Sequence, residues 1–215
     1  MDFIEIVNLN KVIGGKDILV DVNLKLEPGK IYIFCGRNGS GKTMLFRAIC
    51  GLIKPTSGEI KINGKILHKD ISFPKSVGVI IESPGFWDYY TGFENLKILA
   101  SIKNVITDDE IKEAIVRVGL DPEDNRIYKK YSMGMKQRLA IAQAIMEKPD
   151  LLILDEPADS LDEDGKELFR NLLLEEKARG VTILIALPDK EDIDFLFDYQ
   201  FKVRDGKVTP GGMQQ

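Results

Sequence analysis

The chain has 215 residues, 44% hydrophobic and 30% charged, with a formal net charge of -4. That length fits one domain, or one domain with a sub-lobe, and the composition excludes disorder, collagen and coiled coil. The acidic balance gives no global basic field, so no nucleic-acid partner is expected. Cys35 and Cys50 have neither zinc spacing nor the density of a disulfide scaffold, which fits a reducing cytosol. The start, MDFIEIVNLN, lacks the regions of a signal peptide, and no apolar run nears the roughly 18 residues of a membrane span. A soluble protein is expected, with any membrane role coming through a partner.

Strand-like and helix-like patterns alternate, which predicts an α/β fold. Phe3 to Val7 and Ile18 to Leu26 alternate apolar and polar residues. Ile31 to Cys35 is a continuous apolar run, as in a buried parallel strand. A helix is expected from about Lys42 to Cys50, ended by Gly51. Asn63-Gly64 between Glu59–Ile62 and Lys65–Leu67 reads as a hairpin, and Val77 to Ile81 as a buried strand. Thr107 to Glu110 forms a capping-box pattern for a helix that stops at Gly119. Further on come a helix from about Met133 to Glu147, a strand at Leu151 to Leu154, a helix from Asp164 to Arg179 and a strand at Val181 to Ala186. A last hairpin is expected around Asp205-Gly206. There are no repeats, and the chain reads as a core at about 1–83 and 149–215 with a helical insert at about 84–148.

Gly36-Arg37-Asn38-Gly39-Ser40-Gly41-Lys42-Thr43 fills the pattern G-x-x-x-x-G-K-[ST] between a buried strand and a helix. Glycines let successive backbone N–H groups turn toward phosphate oxygens, and the helix N-terminus adds partial positive charge. Lys42 would reach the β- and γ-phosphates and Thr43 would hold Mg²⁺, so ATP with Mg²⁺ is the expected ligand. Leu151 to Leu154 then carries Asp155 and Glu156 at its C-terminal end, where open α/β sheets bind ligands. Asp155 suits Mg²⁺, and Glu156 suits orienting and deprotonating a water.

With Tyr131-Ser132-Met133-Gly134-Met135-Lys136-Gln137-Arg138 upstream of Asp155, the chain resembles the nucleotide-binding subunits of ATP-binding cassette (ABC) transporters over nearly its whole length. The family's L-S-G-G-Q signature is kept at Ser132 and Gly134, while Met133 and Met135 replace a Gly and a Gln. The resemblance implies a P-loop ABC-type ATPase core with an N-terminal antiparallel β-subdomain and a helical signature subdomain. It implies that Ser132 and Gly134 face the ATP of a second ATP-binding subunit, identical or different. Ala158 to Asp162 resembles the family's D-loop, with Asp162 its defining acid and also a candidate helix cap.

This sequence departs from the family pattern at several places. Glu82 stands where the family usually has the Gln of its Q-loop, and the segment Glu82 to Phe86 resembles the subgroup that exports, or confers immunity to, lantibiotics and bacitracin-like antibiotics. A carboxylate there would be repelled by triphosphate or act as a harder metal ligand. Pro188 stands where the family has its switch histidine, which implies slow hydrolysis or a dimerising switch with little turnover. The chain's one histidine, His68, is expected on the surface. Ile13 replaces the aromatic residue that stacks on adenine, which implies looser base recognition. Phe86, Trp87, Tyr89 and Tyr90 cluster where the family receives its transmembrane permease subunit, placing the protein in the cytoplasm against the membrane's inner face. A DNA-repair ABC ATPase would need a long coiled coil between Glu82 and Ser132, a ribosome-binding one a second cassette, and a P-loop kinase neither Ser132 nor Asp162.

Overall fold

The computed structural model describes residues 3–82, 85–188 and 197–213. Two sheets carry the fold. The first is antiparallel, with strands β1 (Ile4–Ile13), β2 (Lys16–Leu26), β4 (Ser57–Ile62) and β5 (Lys65–Ile66) in the order β2-β1-β4-β5. The second holds β3 (Ile31–Cys35), β6 (Val77–Ile80), β7 (Leu151–Asp155), β8 (Thr182–Leu187), β9 (Tyr199–Arg204) and β10 (Lys207–Met213) in the order β10-β9-β3-β8-β7-β6. Strands β9, β3, β8, β7 and β6 run parallel, and β10 closes an antiparallel hairpin on β9.

The continuous apolar runs are buried on both faces, and the pleat sorts them by parity. Ile31, Ile33, Leu152, Leu154, Ile183 and Ile185 join one hydrophobic core, and Tyr32, Phe34, Leu151, Ile153 and Leu184 join the other. Each such fully buried side chain contributes about 1.5–3 kcal/mol. Helix α1 (Lys42–Ile49) seals the second core with Leu45, Phe46 and Ile49. Four helices seal the first: α2 (Gly92–Ala100), α3 (Asp108–Arg117), α4 (Met133–Ile145) and α5 (Glu163–Ala178).

The ends of the foreseen helices and strands fall within a residue or two of the expected positions, save β1 and the far end of β10. β1 runs on to Ile13, well past Val7, because register shifts and left-handed Asn8 (φ 47) and Asp21 (φ 47) break its alternation with β2. Asn8 N–H donates to Asn23 Oδ1, and Asp21 N–H to Asn10 Oδ1, so side chains satisfy the interrupted ladder. Helix α2 is not foreseen by the patterns above, although Thr91 and Glu94 form a full capping box. His68 is only half exposed, contrary to expectation. It sits at φ 65 with its Nε2 within hydrogen-bond distance, 3.2 Å, of the Ile53 carbonyl.

Candidate nucleotide site

β3 delivers the chain into the loop Gly36–Gly41 at the C-terminal end of the parallel strands, and α1 begins at Lys42. Two glycines fix that turn. A Cβ on Gly36 would overlap the Val203 carbonyl and lie 2.6 Å from Ser40 Oγ, and Gly41 takes φ 112, closed to most L side chains. The loop borders an open pocket of about 580 Å³, lined also by Ile18, Thr43, Met44, Glu82, Gln137, Asp155, Glu156, Asp159 and Ser160. Asn38 and Gly39 line it; Arg37, exposed like them, does not.

Lys42 is buried, with its ammonium donating to the Gly36 carbonyl at 2.6 Å and lying 3.4 Å from Glu156 Oε1. The Thr43 hydroxyl donates to Asp155 Oδ2 at 2.6 Å, joining the first turn of α1 to the end of β7. Asp155 Oδ1 is buried with no hydrogen-bond partner, and so is Ser40 Oγ. Burial pushes the Asp155 carboxyl above its ordinary range; Thr43 and Lys42 pull it back, and Glu156 and Glu82 push it further up. A buried carboxylate oxygen in want of a partner, beside a hydroxyl and an anion-type loop, fits a hard divalent cation whose remaining ligands are phosphate and water. Among the described residues no group of three or more His, Cys, Asp or Glu could hold a metal by itself, so such an ion would come with a phosphate ligand.

Glu156 follows β7 at φ 49, and its N–H donates to the Ala186 carbonyl at 3.0 Å, which ties the acid to the end of β8. Pro188 closes β8, half-buried, without N–H or side-chain donor. Glu82 stands at the rim, 63% exposed, paired with Arg47 at 2.8 Å. Ile13 lies exposed at the β1–β2 hairpin and Ile18 lines the wall.

Ser132 caps α4, accepting from Met135 N–H at 3.2 Å, and is exposed away from this pocket. A Cβ on Gly134 would lie 3.2 Å from the Ser160 carbonyl, so α4 sits close to the segment after Asp155. Gln137 Nε2 donates to the Pro157 carbonyl at 2.7 Å and ties the two together. Asp162 caps α5, accepting from Gly165 N–H at 3.0 Å and from Arg138 at 3.0 Å; those contacts hold its carboxyl below the usual range.

Of the aromatic segment, Ser83 and Pro84 lie outside the described residues. Phe86 turns inward onto Tyr128, ring centroids 5.2 Å apart, while Trp87, Tyr89 and Tyr90 are exposed. Fully buried Asn95 shapes this loop, accepting from Trp87 N–H at 2.7 Å and donating to the Trp87 and Thr91 carbonyls. Lys129 lies over Tyr89 at 5.5 Å. Sequence patterns single out neither Asn95 nor Arg47, Ile18 and Gln137.

Among the described residues no helix is long and apolar enough to cross a membrane. The family described as ABC transporter matches residues 19–159. Over 205 residues the chain is 50% identical to the uncharacterized ABC transporter ATP-binding protein YybJ of Bacillus subtilis (strain 168), spanning 95% of this chain and 94% of that one. It is 40% identical over 207 residues to the bacitracin transport ATP-binding protein BcrA of Bacillus licheniformis, spanning 95% of this chain and 68% of that one. Its fold matches the ATP-binding cassette MJ0796, solved as a dimer in a post-hydrolysis state with ADP and Pi, at a TM-score of 0.87 with 22% identity and 99% of each chain covered. With the phosphate loop, Asp155 and Glu156 at one pocket and this kinship along nearly its full length, the chain belongs to the ABC transporter family, among its ATP-binding ATPase subunits.

Proposed function

We propose that this protein binds MgATP at the Gly36–Thr43 loop and uses its hydrolysis to drive a separate membrane-embedded permease that exports a peptide antibiotic or drug. The carrying observation is the 2.6 Å bond between Thr43 and Asp155, with the other Asp155 oxygen buried and unpartnered. Thr43 and Asp155 would hold Mg²⁺, which neutralises phosphate charge and acts as Lewis acid. Backbone N–H groups of the loop and Lys42 bind the β- and γ-phosphates. Glu156 takes a proton from the water that attacks the γ-phosphorus as the bond to the ADP oxygen breaks, yielding ADP and phosphate. Ile13 and Ile18 give the base apolar contacts without a stacking ring. Ser132 and Gly134, at the start of α4 and outside their own pocket, serve the nucleotide of a second ATP-binding subunit, and Asp162 organises the crossing between them. The exposed Trp87, Tyr89 and Tyr90, with Lys129 beside them, suit an apolar and acidic segment of the permease; bound there, the chain would sit on the cytoplasmic face of the membrane. The bacitracin transport named for BcrA supports the class of cargo.

Glu156→Gln keeps the shape and removes the base. It is expected to bind ATP, stop turnover and shift to double mass in gel filtration with MgATP. A variant that turns over like the parent would refute the assignment.

Pro188 favours a slow motor. Losing one donor to the transferring phosphoryl group costs about 10²–10³ in rate. Phosphate release by the isolated chain is expected to lag histidine-bearing cassettes by that order, and Pro188→His to recover part of it where the ring reaches the phosphate. Equal rates for the parent and such cassettes would remove the need for a histidine here.

A further inference from the structure

The pocket holds more acids than the proposed reaction uses: Glu82, Asp155, Glu156 and Asp159 all border it. Asp155 accepts from Thr43, and Glu156 lies beside Lys42. Glu82 instead meets the Arg47 guanidinium at 2.8 Å. Arg47 comes four residues after Thr43 on α1, so the two side chains share one face of the helix, a turn apart. One face of α1 thus engages two acids from different strand ends, Asp155 at the end of β7 and Glu82 after β6.

Glu82 is 63% exposed and Arg47 29%, so the pair adds little to stability. Its consequence is where it puts the charge. Glu82 adopts φ 60, a left-handed conformation that turns the chain at the pocket rim. Its field already reaches the pocket interior, where it adds to the larger effects of burial and Glu156 on Asp155. Unpaired, that charge would oppose a triphosphate directly.

We infer that Arg47 is a positioning residue for the nucleotide: it holds Glu82 at the rim and cancels its charge, so that the triphosphate does not meet that carboxylate in addition to Asp155 and Glu156. This rests on reading the pocket as the ATP site. The effect is strongest without metal, because a bound cation offsets part of the same repulsion. It also separates Arg47 from an ordinary cation near a helix C-terminus, whose contribution would not depend on residue 82.

The test is calorimetric titration of the full chain with ATP, in EDTA and in excess Mg²⁺. Arg47→Met is expected to weaken metal-free binding at least fivefold, with a smaller loss in Mg²⁺. Arg47→Met with Glu82→Gln should return to within about twofold of the parent, and Arg47→Lys should keep most of the affinity. Glu82→Gln alone, a change at an exposed position, leaves the arginine cation free and should tighten metal-free binding about threefold; it keeps the test alive should Arg47→Met not fold. Parent-like binding by Arg47→Met, no rescue in the double variant, or unchanged binding by Glu82→Gln would overturn the inference. Lys42→Ala is the separate control: parent-like affinity there would overturn the nucleotide site itself.

Discussion

Asp155 serves stability and function in opposite directions. Its carboxyl is buried, and one oxygen lacks a partner. Burial raises its pKa in the folded chain, so the fold favours the protonated form. That preference stabilises the fold fully below the ordinary carboxylate range and is lost as pH rises through the raised value. At neutral pH the ionised group is therefore a burden that a cation relieves. Asp155→Asn keeps an acceptor for Thr43 and removes the charge. It is expected to melt higher than the parent at neutral pH without nucleotide, to lose that advantage in acid, and to lose Mg²⁺-dependent ATP binding. Melting curves across pH check the first two, and a variant that melts no higher at neutral pH would contradict the account. Residues 36–43, 155 and 156 are legible from sequence because each group is contiguous and its chemistry is local. Arg47, Ile18, Gln137 and Asn95 are not, because each acts through a partner brought in by the fold, such as Glu82 for Arg47 and the Pro157 carbonyl for Gln137.

At the level of elements, unbroken apolar runs predict β3, β7 and β8 correctly, since strands buried on both faces need no alternation. The second half of β1 escapes because bulges against β2 shift the inward face partway along. α2 escapes because its cap sits beside the aromatic segment and the helix is only 9 residues long. α4 depends on a feature no pattern exposes: Gly78 on β6. A Cβ there would fall onto the Ala144 carbonyl and lie 2.8 Å from Leu152 Cδ2. Gly78→Ala must push α4 off the sheet, and α4 carries Ser132 at its other end. The expected cost is about 1–3 kcal/mol by urea denaturation. Parent-like stability would mean that α4 yields freely, against the packing described.

For the whole molecule, one apolar core runs from the sheet into α2, α3 and α4, joining Ile33 and Ile183 to Leu96, Ile115 and Leu139. Packed side chains therefore join the sheet that carries the phosphate loop to the helices beside the aromatic surface. Ionic contacts extend the same join: Arg117 of α3 reaches fully buried Glu176 of α5 at 2.7 Å, and Arg179 pairs with the same acid. Trp87 and Tyr90 stand outside this core, so removing them leaves it intact. Trp87→Ser with Tyr90→Ser is expected to keep ATP affinity while lowering co-purification with the permease. A normal yield would assign these rings to the chain's own packing.

The strand order has a consequence for how the protein is made. β3, which aims the phosphate loop, has β8 and β9 as its two strand neighbours among the described residues, Thr182–Leu187 and Tyr199–Arg204. A nascent chain that has released Gly36–Thr43 still lacks both neighbours of that strand. At translation rates of about 5–20 residues per second, the wait is roughly ten to thirty seconds. Through that interval Ile31–Cys35, apolar on both faces, has open edges of the kind that chaperones cover. Nucleotide therefore cannot guide the early steps of folding on the ribosome; it can only stabilise a cassette whose β8 and β9 have already been made.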